Sequence, residues 1–547
     1  MQANNEFSIS GNIVDIVNKR VFKGTVKVID GTIQSIKEEP AQEDQYILPG
    51  FVDAHIHIES SMLIPSEFAR LAVVHGTVGT VSDPHEIANV VGIEGVKYMI
   101  NNGNKVPFKF NFGAPSCVPA TIFETAGACI DITGVKELLA MKEIRYLSEM
   151  MNFPGVLAGD ELVMEKIKAA HDQGKVVDGH APGLMGEQAK KYIEAGISTD
   201  HECFTREEAL DKIKHGMKII IREGSAAKNF DALIDLLNEY PDLIMFCSDD
   251  KHPNELVLGH INLLVKRSIA HGIEPMKVLR AASLNPIKHY GLDIGLLQEG
   301  DPADFIIADN LNDLTILKTY INGILVASSG DTLIQSVEES EINNFNCKEL
   351  KIPDIELVAE TPQIKVIEAL DGQLITNQLN LTGKVREGKM VSDPENDILK
   401  IIVHNRYQPA SPSIAFVKSF GLKSGAIAST VAHDSHNIIA VGVSDEDIIN
   451  AVNLLIRSKG GVSLVSDQIT NLVKLPVAGL MSVADGYLIA DEYGEIDQMA
   501  KDLGASLSAP YMTLSFLALL VIPKLKLSDK GLFDGETFSF TSNFNHP

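Results

Sequence analysis

The sequence predicts an α/β chain of several domains. The expected parts are a (β/α)8 TIM-like barrel over residues 48–297, a small β-sandwich domain built from both flanks of the barrel (1–47 and 298–335), a linker at 336–373 and a C-terminal α/β domain at 374–547. Three observations predict this. Short apolar runs alternate eight times with segments long enough for one helix each, as parallel strands joined by crossovers require. Polar and imidazole side chains recur where those runs end. The flanking β-like stretches are too short to bury a core alone and need one another. Size agrees, since 547 residues exceed a single core and fit about three domains. A composition of 45% hydrophobic and 22% charged residues is ordinary for a folded protein.

In the N-terminal flank, residues 11–17, 24–29 and 32–36 read as short strands, with Asp30-Gly31 between alternating apolar residues as a hairpin signal. The opening barrel strand lies in residues 48–61. There Val52, Ala54, Ile56 and Ile58 alternate with Asp53, His55, His57 and Glu59, so His55 and His57 share one face. The other seven strands are expected at 78–83, 108–112, 144–150, 176–180, 197–201, 218–223 and 243–249. Residues 300–308 and 318–326, the latter with an Asn322-Gly323 turn, complement the N-terminal sheet. Residues 336–373 are acidic and irregular, with Pro353 and Pro362. The last segment mixes strands at 399–403, 424–428 and 461–465 with a helix at 445–456, and carries one polar cluster at 433–437.

A doubly wound sheet has the same alternation, and the placement of polar residues separates the two folds. Glu149 closes the fourth strand, His180 the fifth, His201 the sixth, and Asp249 with Asp250 the eighth. In a barrel these ends form one rim, where active sites lie. Together with His55 and His57 they supply six ligands, His55, His57, Glu149, His180, His201 and Asp249. That is enough for two adjacent divalent ions with one carboxylate bridging.

Composition removes several classes of function. The formal charge of -26 repels phosphate backbones, so no nucleic-acid partner is expected. The apolar run at 516–522 stops at Pro523, far short of the ~20 residues of a membrane helix. Residues 1–7 lack the basic and apolar regions of a secretory leader. Five cysteines without a Cys-X-X-Cys pair fit a reducing compartment, and a cytoplasmic location is expected.

Extended motifs carry a resemblance over nearly the full length. They are the run from Leu48 through His55-Ile-His57-Ile-Glu59-Ser-Ser61, Asp83-Pro-His85-Glu86, Asp178-Gly-His180-Ala-Pro182, Thr199-Asp-His201-Glu202, Arg222-Glu-Gly-Ser225, Ser248-Asp-Asp250, and His433-Asp-Ser435-His436-Asn437. With these, the chain resembles the bacterial adenine deaminases of the amidohydrolase superfamily. The resemblance implies hydrolysis of free adenine to hypoxanthine and ammonia in purine salvage, and it implies two divalent ions per chain. Manganese stands first, with iron or zinc also accepted by histidine and carboxylate donors. It carries the metal role onto the same six residues. Asp249 would shuttle the proton of the attacking water, and Glu59, His85 or Glu86 would protonate the ring. Placement adds Glu86, Arg222, Ser225, Asp250, Ser435, His436 and Asn437 as expected substrate contacts. A homodimer or higher homo-oligomer is expected. The chain departs from the family pattern at Ser148, where a glycine is expected before Glu149, and at His404-Asn-Arg406.

Three rivals are weaker. A cytidine-type zinc deaminase matches His57-Ile-Glu59 but needs a Pro-Cys-X-X-Cys partner, which is absent from the sequence. Dihydropyrimidinases and dihydroorotases bridge their metals with a carboxylated lysine at the fourth strand. Here that strand ends in Glu149, and the nearest lysine, Lys142, precedes it. A non-catalytic scaffold should show gaps among the ligands, and none is seen.

Overall fold

A computed structural model describes residues 6–545. Residues 1–5 and 546–547, on which the ends of two expected domains and most of the leader argument fall, lie outside the described residues.

The parallel strands Phe51–Ile56, Thr77–Ser82, Lys109–Ala114, Ile144–Met150 and Val177–Gly179 lie side by side in one sheet. Thr199–Asp200, Lys218–Arg222 and Ile244–Cys247 form a second parallel sheet. Parallel bridges at Val177–Ile197 and Ile56–Asp249 link the two sheets at both ends. All eight strands fall where apolar periodicity predicts them. Several, such as Phe51–Ile56 and Thr77–Ser82, are buried along their whole length, as parallel strands covered by crossover helices must be. Some of the helices between them start at side-chain caps. Asp131, Asp160 and Thr205 accept from the amides of Gly134, Val163 and Glu208 at 2.9, 3.1 and 3.2 Å.

Both flanks of this region join one eight-stranded sheet, in which Tyr46–Pro49 pairs with Phe305–Ala308. The two predicted turns have left-handed conformations at both central positions, φ 49° and 80° at Asp30-Gly31 and φ 46° and 71° at Asn322-Gly323. This is the hairpin geometry that Asp-Gly and Asn-Gly favour. The expected sandwich is corrected to a single curled sheet. Its far edge returns to the other flank, with Ile33 N–H donating to the Asp301 carbonyl at 2.9 Å. The curl encloses Ile13, Val26, Val28, Ile47 and Phe305 as a small core of its own.

The C-terminal region is built on another eight-stranded sheet, covered by the helix Asp445–Ser458 through Ile448, Val452 and Leu455. The linker expectation at 336–373 needs correction. Within it, Gln363–Glu368 is a strand of this sheet, pairing antiparallel with Asn377–Thr382 and parallel with Ser413–Lys418. Ile364, Val366 and Ile367 are buried there, and the acidic composition of the surrounding chain hides so short a run. One apolar cluster continues from Ile56 and Val81 of the parallel strands into Val431, Leu475 and Leu514 of the C-terminal region. The two regions therefore share a core. Among the described residues no helix is long and apolar enough to cross a membrane.

Candidate active site

The first and last parallel strands meet at the residues of greatest chemical interest. The Asp249 amide donates to the His55 carbonyl at 3.0 Å, and the His57 amide donates to the Asp249 carbonyl at 3.2 Å. Asp249 takes φ 55°, a left-handed conformation uncommon outside glycine. Its Oδ1 then lies 3.3 Å from Nε2 of both His55 and His57. Buried Asp53 holds the same junction, accepting from the Ser248 amide at 3.1 Å and lying 2.8 Å from Nε2 of His260.

Glu149 stands opposite. Its Oε1 is 3.3 Å from Nε2 of His57, and its Oε2 is 2.7 Å from Nδ1 of His180 and 3.4 Å from Nε2 of His201. One carboxylate thus reaches both halves of the cluster. The His55 ring stacks on His201 with centroids 4.1 Å apart and meets His57 edge-on at 4.9 Å. Nδ1 of His57 is anchored 3.1 Å from the Asp83 carbonyl, which turns Nε2 inward. The structure therefore brings all six sequence-predicted ligands together. Ser148 fits beside Glu149 because residue 113 is glycine, where a Cβ would lie 2.3 Å from the serine hydroxyl.

Donor chemistry fits divalent cations. His55 is fully buried, yet neither ring nitrogen has a hydrogen-bond partner, and Nε2 of buried His180 is likewise free. Buried polar atoms are normally satisfied, and unpaired imidazole nitrogens beside two carboxylates make a donor set that a divalent cation could complete. Burial works against charge on Glu149, but His180, His201 and His57 override it and hold the carboxyl well below its usual range. Burial is likewise outweighed at Asp249 by Arg222, His55 and His57. Both carboxylates are therefore ionised at neutral pH.

The cavity over this cluster is lined by His57, His85, Glu86, Glu149, His180, His201, Glu202, Asp249 and Asp250 and by five C-terminal side chains, Leu374, His433, Asp434, Phe516 and Leu519; Met151 completes it. It holds about 320 Å³ of space including its mouth, of which only about 20 Å³ admits the centre of a water molecule. His85 sits between two carboxylates, Nδ1 3.1 Å from Asp83 and Nε2 3.6 Å from Asp434.

Several expected substrate contacts lie elsewhere. Arg222 is fully buried in a two-pronged pair with Glu202 and donates to Oδ2 of Asp249 at 2.8 Å, so its guanidinium orients the aspartate and does not face the cavity. Ser225 donates to Glu255 at 3.0 Å. Asn437 donates to the Thr125 carbonyl at 2.9 Å and to Ser435 Oγ at 3.1 Å, so these two residues build the 433–437 turn. Neither His436 nor Glu59 lines the cavity, and Glu59 accepts from the Ile87 amide at 3.2 Å. Glu202, His433, Asp434 and the apolar wall of Met151, Leu374, Phe516 and Leu519 are not among the residues expected from the sequence to line the site. Glu202 and His433 stand inside quoted motifs and were legible. Phe516 and Leu519 belong to an apolar run that looks like any core segment.

Comparison with known proteins agrees with this geometry. The profile described as "Amidohydrolase family" matches residues 46–326, and that described as "Adenine deaminase C-terminal domain" matches residues 373–539. A Salinibacter ruber protein named adenine deaminase is 52% identical over 540 residues, 98% of this chain and 99% of its own. The chain belongs to the adenine deaminase family. Relatives of the same name are 54% identical in Sulfurovum sp., over 97% of this chain and 98% of that one, and 51% identical in Methanosarcina mazei, over 98% and 99%.

One further buried group touches the wall that this family's C-terminal domain contributes. Lys526 Nζ donates to the carbonyls of Leu374 at 2.7 Å and Phe516 at 2.9 Å, and burial pushes its pKa down to about 7. A Lys526→Met variant leaves both carbonyls without that donor, at a cost of about 1–3 kcal/mol for each buried unsatisfied group. We expect KM for substrate to rise several-fold with bound metal unchanged, as measured by steady-state kinetics beside metal analysis. An unaltered KM would show that the wall holds without this tie.

Proposed function

We propose that this chain hydrolyses adenine to hypoxanthine and ammonia at the cluster of His55, His57, Glu149, His180, His201 and Asp249. The observation that carries the reading is Glu149, one carboxylate set between His57 on one side and His180 and His201 on the other. We read residues 48–297 as a (β/α)8 barrel, residues 1–47 and 298–335 as a composite β domain, and the chain from the strand Gln363–Glu368 onward as a C-terminal domain that covers the barrel mouth. The six residues would hold two divalent ions. Manganese is placed first because carboxylates share the site with imidazoles. Ions bound there would ease loss of a proton from water to Asp249 at neutral pH by lowering the water's pKa toward ~7.

The side chains then carry the protons. Asp249, kept ionised and oriented by Arg222, accepts one proton of the attacking water as oxygen bonds to C6. Burial opposes charge on His85, but Asp83 and Asp434 prevail and hold its pKa well above the usual value, so it presents a proton to a ring nitrogen. The C6–N bond breaks as Asp249 passes its proton to the departing amine. The second proton of the water returns to His85, leaving hypoxanthine and ammonia. Phe516, Leu519, Leu374 and Met151 keep bulk water away and shape a narrow slot suited to a flat ring.

The test is ammonia release by metal-loaded protein against adenine, adenosine, cytosine and dihydropyrimidines. Ammonia and hypoxanthine are expected in equal amounts from adenine. Ring opening of a dihydropyrimidine with adenine inert would replace this reading with the cyclic amidohydrolase one.

A further inference from the structure

We propose that Glu86, His433 and His436 form a further cation site, separate from the paired one, that takes a single borderline divalent ion and fastens the C-terminal region to the parallel strands. Their ligand atoms lie within 4.8 Å of one another, all three residues are buried, and the cluster shares no member with the six residues above.

The hydrogen-bond inventory supports it. Glu86 uses Oε1, which accepts from Ser60 at 3.0 Å and lies 3.3 Å from Nδ1 of His433. Its Oε2 has no partner. Neither does Nε2 of His433, nor either ring nitrogen of His436, although these atoms are out of contact with solvent. Unpaired polar atoms in such numbers are rare in a folded interior, and an ion held by one ligand atom of each residue would offset that deficit. His436 is not among the residues that line the cavity. Residue 436 sits at φ 54° in the turn, and the two imidazole centroids are 5.6 Å apart. Burial keeps both imidazoles below their usual pKa, and the neutral form is the one that ligates.

Two histidines and one carboxylate suit zinc, iron or manganese and leave positions open for water. The surroundings suit a cation too. The adjoining cavity is lined by Glu86, Glu149, Glu202, Asp249, Asp250 and Asp434, with no lysine or arginine among its described lining residues. Glu86 lies in the first turn of the helix His85–Val91, while His433 and His436 come from the C-terminal turn. An ion there would join stretches that are remote in sequence.

The experiment uses full-length protein stripped with a chelator, reloaded with ZnCl2 and desalted. Metal is counted by mass spectrometry and located by anomalous diffraction at the zinc edge. Wild type is expected to hold about three zinc ions per chain, with an anomalous peak roughly 2.0–2.2 Å from Glu86, His433 and His436. A His436→Leu variant should hold about two and lose that peak alone. Wild-type crystals without density among these three residues would overturn the proposal whether or not the variant folds, and so would a variant that keeps every ion. A peak here with none beside Glu149 would refute the paired site and leave this one standing.

Discussion

An Asp249→Asn variant is expected to keep its divalent ions and lose adenine turnover by a factor of roughly 10²–10⁴, the range a positioned proton-transfer group contributes. Asparagine has nearly the same shape and can still place an oxygen near His55, His57 or Arg222, but it cannot accept a proton. The substitution is structurally mild for a specific reason. Arg222 keeps its two-pronged pair with Glu202, so no buried cation is stranded. A stranded buried charge would cost about 3–5 kcal/mol and obscure the kinetics. The loss should therefore appear in kcat, with metal content and melting temperature near those of wild type. Ammonia release at saturating adenine, beside metal analysis, reads it. A kcat within tenfold of wild type would remove Asp249 from the proton path.

His55→Ala should abolish metal binding and activity together. The ring is fully buried and packs against His201 at 4.1 Å, so its removal leaves a hole. Large-to-small changes of this kind cost roughly 2–5 kcal/mol. Set against that is the relief of two unpaired buried nitrogens, each carrying a penalty of about 1–3 kcal/mol. In metal-free protein the two terms nearly offset, and the melting temperature should move little. With metal the variant should fall behind, because an ion at 100 times its Kd stabilises wild type by about 2.7 kcal/mol and the variant by none of it. Thermal melts with and without MnCl2 check this. A variant that shows the wild-type metal-dependent rise, or full activity, would contradict the assignment.

The eight parallel strands and the six clustered residues were legible because each rests on a local pattern, the period of two in Val52 to Glu59 or a polar residue ending an apolar run. What escaped is what depends on distant partners. Arg222 and Ser225 looked like substrate contacts because they follow a strand, yet Glu202 and Glu255 occupy them. No sequence pattern announces that a carboxylate one strand away will take a guanidinium. Gln363–Glu368 escaped because a six-residue strand becomes one only when Ser413–Lys418 and Asn377–Thr382 flank it. The wall of Leu374, Phe516 and Leu519 is indistinguishable from core in the sequence, since its neighbours decide whether an apolar side chain faces a cavity.

Pairing of Pro49 with Phe305 has a consequence for biosynthesis. A ribosome adding roughly 5–20 residues per second needs roughly 10–50 s to make the chain between them. Throughout that interval the strand Tyr46–Pro49 has an open edge where Phe305–Ala308 will dock, and an open edge recruits other nascent chains. Fragments ending before residue 305 should therefore precipitate where the full-length protein stays in solution.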